Sequence, residues 1–400
     1  MKKMFAMLML VLAAVLVGAE TKPRGFSAQI IPTRAVNIAD QFTGILPARP
    51  PFFPKVSKVV CGEPFALEII FIGAKVRNGA IELAGKLTMS DPKGKKTEIP
   101  LRRHMAKVSG DTAGVFLFPQ SLKVIYEPQD PRGKCSFELE LTDCHAEKTV
   151  KASASVEYME KVEPEREIKA FDKIAGYYRA PCPEYIIPAF REFLANLPKQ
   201  KAKEKRNFNP LPQLAFFYFA LKENPQCVPE FAKLFKSLQH NEEKYLTAVV
   251  LDFASGPSAK ALNPNQRKAI GQQFPSDPFQ FEKAAAPWQL DVCWAEFFVR
   301  GTKAPVMKVV NALTLANDSV SIADYKKLAS PTREDQRKLM NGLTAMAAQW
   351  SLNSLAKTHP LIRFYVEAAL VRGEVKDPVA AALAAKAVGM QIKLGKKQTP

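Results

Sequence analysis

The stretch Leu290-Asp291-Val292-Cys293-Trp294-Ala295-Glu296-Phe297-Phe298, closed by Gly301, decides how the second half of the chain folds. Leu290, Cys293, Trp294, Phe297 and Phe298 stand at i, i+3, i+4, i+7 and i+8, one face of a single α-helix. So apolar a face is satisfied by burial, and Trp294 is expected in a core rather than on a ligand platform. Gly301 supplies the left-handed residue that ends a helix. Asp291 reads as a first-turn acid favoured by the helix dipole. Asp291 and Glu296 are five residues apart, so they do not stack on one helix face.

The same period spreads outward from this helix. Leu214 to Leu221 is apolar all round and belongs at the centre of a helical core. Pro183 to Leu197, Val228 to Leu238 and Tyr245 to Phe253 are further helices on the N-terminal side. On the C-terminal side, Val306, Val309, Val310 and Leu313 repeat the pattern. So do Leu339, Leu343, Met346, Ala347 and Trp350, and then Leu361, Phe364, Tyr365 and Ala368. Short connections imply antiparallel packing. Residues 169–392 are therefore expected to form an all-α domain: a helical bundle or, as the alternative, an irregular solenoid.

Upstream the period changes from 3.6 to 2. Residues 55–160 hold short runs rich in branched and aromatic residues, Phe65–Ile72, Ile81–Met89, Val115–Phe118, Leu122–Tyr126, Cys135–Leu141 and Val150–Tyr158. Asp91-Pro92 with Gly94, and Asp130-Pro131 with Gly133, mark turns between them. Short strands at this spacing suit an immunoglobulin-like β-sandwich. The segment Asp130-Pro131-Arg132-Gly133-Lys134-Cys135 resembles bacterial immunoglobulin-like modules, in which Tyr often stands where this chain has Cys135. Residues 161–168 are charged, contain Pro164 and read as a linker. Residues 20–54 read as an extended, proline-containing segment ending in Pro47, Pro50, Pro51 and Pro54.

The Leu290–Phe298 stretch with Pro305-Val306, and Gln349-Trp350-Ser351-Leu352 with His359-Pro360, resemble segments of uncharacterised bacterial exported proteins. In those proteins an immunoglobulin-like β-sandwich precedes a helical domain. The resemblance implies an architecture and transfers no catalytic residue.

The N-terminus follows the grammar of export. Lys2 and Lys3 precede an apolar run from Phe5 to Val17, and Val17 and Ala19 place small side chains before a cut ahead of Glu20. Residues 1–19 are expected to be a signal peptide, and the mature protein periplasmic or secreted, without a transmembrane segment. The six cysteines show no CxxC spacing, so neither a zinc site nor a redox motif is indicated. An oxidising compartment permits disulfides, and Cys182 and Cys227, near predicted helix ends, are the candidate pair.

The net charge is +18, and residues 161–400 carry two thirds of it. In that compartment a basic surface meets an anionic cell-wall or lipid surface, or an acidic envelope protein, rather than nucleic acid. Lys199, Lys201, Lys203, Lys205 and Arg206 form the sharpest basic run, read as an interhelix loop able to grip an anion, and Lys393, Lys396 and Lys397 give a basic tail over 393–400.

The search for catalytic chemistry returns little. His104, His145, His240 and His359 are scattered and form no ligand spacing. Cys144 and His145 are adjacent, but strand neighbours point to opposite faces. No GxSxG, P-loop or GxGxxG pattern occurs. No catalytic residue, cofactor or metal is therefore expected. The leading expectation is a cell-envelope protein with a non-catalytic binding or scaffolding role. The alternative is an envelope hydrolase with a site between the two domains.

Overall fold

Phe65, Leu67, Ile69 and Phe71 alternate inward along one strand, and Cys135, Phe137, Leu139 and Leu141 along another. These two rows meet in one core, with the Phe65 and Phe137 rings edge to face at 6.2 Å. The computed structural model from which this is read describes residues 25–42, 53–108, 115–160, 170–204, 209–256 and 262–390. The expected signal peptide, linker and basic tail lie outside the described residues. The described residues fall into two compact units, one within Met1–Arg34 and Leu46–Lys161, the other within Ala35–Ile45 and Val162–Pro400.

The first unit is built of strands. β1 (Ser27–Thr33) pairs antiparallel with β3 (Pro64–Ile72), which also pairs with β6 (Phe116–Leu117) and β7 (Leu122–Ile125). The second sheet runs β2 (Lys58–Val60), β9 (Lys148–Met159), β8 (Gly133–Asp143), β4 (Ala80–Ser90) and β5 (Lys96–Lys107), with β2 parallel to β9. The β4–β5 register shifts between Leu83 and Gly85, and a Cβ on Gly85 would lie 2.4 Å from the Glu140 carbonyl oxygen. Only glycine fits that approach.

Two strands here correct the sequence reading. β1 lies inside the segment read as extended and proline-containing, where no strand was placed. Its last four residues, Ile30 to Thr33, are all buried, so the alternation that marks a half-buried strand is lost. β5 is an edge strand whose charged, exposed residues hide its period, and Pro100 is tolerated there because an edge has spare donors. At the turn into β8, Tyr158 stacks on Tyr126 at 4.8 Å, and its hydroxyl donates to the Glu127 carbonyl at 3.1 Å.

The second unit is helical. Its helices are α1 (Ile186–Glu204), α2 (Leu211–Glu223), α3 (Val228–Ser237), α4 (Asn241–Ser255), α5 (Pro264–Gln273), α6 (Pro287–Arg300), α7 (Lys303–Ala312), α8 (Ile322–Tyr325), α9 (Arg333–Thr358), α10 (Pro360–Val371) and α11 (Pro378–Val388). Every residue from Leu214 to Leu221 is buried, as an all-apolar helix requires, and α2 packs against α4 and α6. The core is aromatic: Phe190 stands 4.8 Å from Phe217 and 4.5 Å from Phe231. Among the described residues no helix is long and apolar enough to cross a membrane.

Gly301 takes the left-handed conformation at the end of α6 (φ 62°, ψ 16°). Its carbonyl accepts from Asn37 Nδ2 at 3.0 Å and from the Tyr365 hydroxyl at 2.8 Å. Asp40 Oδ2 accepts from the Lys303 backbone N–H at 2.8 Å. The segment Ala35–Phe42 is thereby tied to the join of α6 and α7.

α9 is the largest correction. The face read as buried, Leu339, Leu343, Met346, Ala347 and Trp350, is not the buried one. Asn341, Thr344, Ala345, Ala348, Ser351, Leu352 and Ala356 are buried instead, while Met346 is 64% and Trp350 74% exposed. Small residues let backbones approach closely, and here close approach, rather than side-chain size, sets the packed face.

Candidate functional site

α6 offers its neighbours two sides. Trp288, Asp291, Trp294, Ala295 and Phe298 fall at i, i+3, i+6, i+7 and i+10, a stripe along one side of the helix. This stripe lines a cavity of about 590 Å³. Asn209, Pro212, Gln213, Phe216 and Phe217 form a second wall, Trp350, Ser351, Ser354 and Leu355 of α9 a third, and Ile174 completes it. The cavity lies wholly within the helical unit. All three tryptophans of the chain line it.

The three indoles differ in depth. Trp294 is 4% exposed and packs edge-on to Phe297 at 6.3 Å. Its Nε1–H is buried without a hydrogen-bond partner, a cost to folding of about 1–3 kcal/mol. The expectation that Trp294 is core holds for its burial, yet the same side chain also forms the cavity floor. Trp288 is half-buried and meets Phe281 edge-on. Trp350 stands at the rim.

Among the described residues Asp291 is the one ionisable residue in the lining. The residue as a whole is exposed, while partial desolvation of its carboxyl raises its pKa above the ordinary aspartate value. A carboxyl so placed keeps its proton to higher pH than a free one and can donate it. Glu296 serves a different cavity, of about 450 Å³, among Phe219, Phe279, Phe281, Arg300 and Lys308. There it is held by Arg300 Nη1 at 2.6 Å and Lys308 Nζ at 3.6 Å, while Arg300 Nε reaches Glu223 at 2.7 Å. Those charges satisfy one another.

Behind Phe298 lies His359, its ring 5.2 Å from Phe298 and 5.9 Å from Phe297. The Tyr178 hydroxyl meets His359 Nδ1 at 3.1 Å, and Arg179 Nη2 stands 3.3 Å from the same atom. Burial, helped by the Arg179 charge, lowers the His359 pKa to about 4, so this imidazole is neutral at pH 7 and structural. Burial also pushes the Cys293 thiol up to about 12, which removes it as a nucleophile.

The residues singled out from the sequence lie elsewhere. Lys199, Lys201 and Lys203 are on α1, not in a loop, because Lys, Gln and Ala sustain a helix past Pro198. Lys201 is ion-paired with Glu242 of α4. Lys205 and Arg206 lie outside the described residues. Cys182 and Cys227 occupy one neighbourhood, the Cys227 Sγ 3.8 Å from the carbonyl oxygen of Pro183. Among the described residues no three of His, Cys, Asp and Glu gather as metal ligands.

No protein-family model matches the chain, and no curated protein matches it. A solved structure similar to it is a family 123 glycoside hydrolase from Clostridium perfringens, titled for glycolipid glycan hydrolysis. The match covers 46% of this chain and 36% of that one, at 13% identity and a TM-score of 0.22. At that score it establishes no shared fold and carries no activity across. The expected non-catalytic binding or scaffolding role is nonetheless corrected. That expectation rested on finding no recognisable catalytic spacing, and Asp291, which lines the aromatic cavity with a raised pKa, is a candidate acid that spacing did not reveal.

Proposed function

We propose that the helical unit binds a glycan in the tryptophan-lined cavity and cleaves it with Asp291 as proton donor. The observation that carries this reading is the convergence of Trp288, Trp294 and Trp350 with one carboxyl of raised pKa. Indole faces match the apolar faces of sugar rings, and Asn209, Gln213, Ser351 and Ser354 supply amides and hydroxyls for the sugar hydroxyls. Protonated Asp291 gives its proton to the glycosidic oxygen as the bond to the anomeric carbon breaks. The carboxylate left behind takes a proton from the water that adds to that carbon, so the acid is restored and one bond is hydrolysed.

In this reading the β unit is an immunoglobulin-like module, supported by its two sheets around one core. The chain works outside the cytoplasm, supported by Lys2, Lys3 and the apolar Phe5–Val17 run, in the manner of the exported proteins its segments resemble. The test is release of reducing ends from neutral glycans by wild type and Asp291→Asn. Wild type should be active on the acid side, with activity falling as pH rises through the raised Asp291 pKa, because only the protonated form donates. Equal rates for the two proteins would remove Asp291 from the chemistry.

A further inference from the structure

Trp350 is the least buried of the three tryptophans, and nothing in the packing of α9 calls for it. The helix is held by Ala345, Ala348, Leu352 and Ala356 on its other side. What sets Trp350 apart from other exposed apolar residues such as Met346 is its place: the indole, 74% exposed, lines the cavity with Trp288 and Trp294. The floor of the same cavity is itself long: Trp288 and Trp294 are six residues apart on α6, about 9 Å along the axis, with Asp291 midway between them. Aromatic surface therefore runs on both sides of the acid and continues out to the rim.

Charge narrows the occupant. The chain carries +18, yet among the described residues no Lys or Arg lines this cavity and Asp291 is its one ionisable group. An anionic polymer would find no counter-charge here, and a neutral chain needs none. Resting on the glycan reading above, we infer that the substrate is a neutral oligosaccharide of several units. Its sugar beyond the bond at Asp291 stacks on Trp350, which forms an outer subsite. Trp350 is a specificity-determining residue rather than a catalytic one: it selects chain length, and Asp291 acts on the bond.

The experiment measures binding of the full mature chain to an array of neutral and acidic oligosaccharides of graded length. Wild type, Trp350→Ala and Trp350→Phe are compared, each checked for unchanged thermal unfolding. The expected result is that wild type binds neutral glycans, more tightly as they lengthen. Trp350→Ala should bind the shortest ones as wild type does and lose about tenfold on the longer ones, the worth of one aromatic stacking contact, with Trp350→Phe in between. If wild type binds no glycan, the glycan reading itself is gone. If wild type binds but shows no length preference, or Trp350→Ala keeps it, the glycan reading survives and the outer subsite does not. Preference for acidic glycans overturns the neutral substrate. Wild type sedimenting as a dimer and Trp350→Ala as a monomer would assign the exposed indole to self-association and overturn the subsite.

Discussion

α6 gives the cavity Trp288 and Trp294 and α9 gives it Trp350, and Trp294 and Trp350 have opposite standing. On α6 most of the fourteen residues are buried, Glu296 among them, so a side chain there has little choice but to pack. On α9, at twenty-six residues, only a narrow small-residue stripe is buried, and large side chains are left outside. The same residue type is thus floor in one helix and rim in the other. Packing accounts for Trp294 without reference to a ligand, and it does not account for Trp350.

The largest expected effect tests the floor. Trp294→Ala removes a buried indole beside Phe297 and should destabilise the helical unit by about 3–5 kcal/mol, read by thermal or denaturant unfolding. A loss under about 1 kcal/mol would mean that the floor relaxes like a rim, and the contrast between α6 and α9 would vanish.

Next comes the histidine behind the floor. Free His titrates near 6.5 and His359 in the fold near 4. Between those values the unfolded chain binds the extra proton, so stability is full above pH 6.5 and is lost as pH falls toward 4. The loss should reach about 3 kcal/mol, at 1.36 kcal/mol per unit. Comparing unfolding at pH 7 and pH 4.5 for wild type and His359→Gln isolates it, because the variant should lack this part of the pH dependence. An unchanged dependence in the variant would place the sensitivity elsewhere.

Gly301 closes α6, and a Cβ there would fall 2.7 Å from both Asn37 Nδ2 and Tyr178 Cδ2 at a positive φ. Gly301→Ala should therefore cost about 1–3 kcal/mol, with hydrogen exchange at the α6–α7 join rising first. The start of α9 is cheaper to disturb. Thr332 Oγ1 accepts from the Asp335 N–H at 3.2 Å, and Asp335 Oδ2 accepts from the Thr332 N–H at 2.9 Å. Removing this cap with Thr332→Ala should cost about 1 kcal/mol. If the cap proved dearer than the glycine, α9 would be as deeply structural as α6.

This contrast also explains what the sequence disclosed. α6 was legible because Leu290, Cys293, Trp294 and Phe297 are large, apolar and on one face, and burial followed size. α9 was misread for the same reason: Leu339, Leu343, Met346 and Trp350 are the conspicuous residues, whereas Ala345, Ala348 and Ala356 do the packing. The β8 row from Cys135 to Leu141 alternated in plain view, while β1, buried on both faces, and charged β5 did not. Asp291 looked like a dipole-favoured acid because its cavity is completed by α2 and α9, remote in the chain. The stripe Trp288, Asp291, Trp294 was the available signal, since an acid between two tryptophans on one helix side needs no distant partner to be noticed.

The smallest expected effect is the one on which the rim depends. Trp350→Ala deletes the largest side chain type from the middle of a long helix, and alanine is the better helix former. With the indole 74% exposed, little apolar area returns to water on its removal, so the two small terms oppose each other. Stability should change by no more than about 0.5 kcal/mol in either direction, with the melting temperature moving by a degree or two. That near-silence is what makes the variant a clean probe of binding, since lost affinity could not then be charged to lost structure. A fall of many degrees would show that Trp350 packs in solution after all. The rim would become a second floor, and the argument that an exposed indole on α9 must serve a ligand would lose its premise.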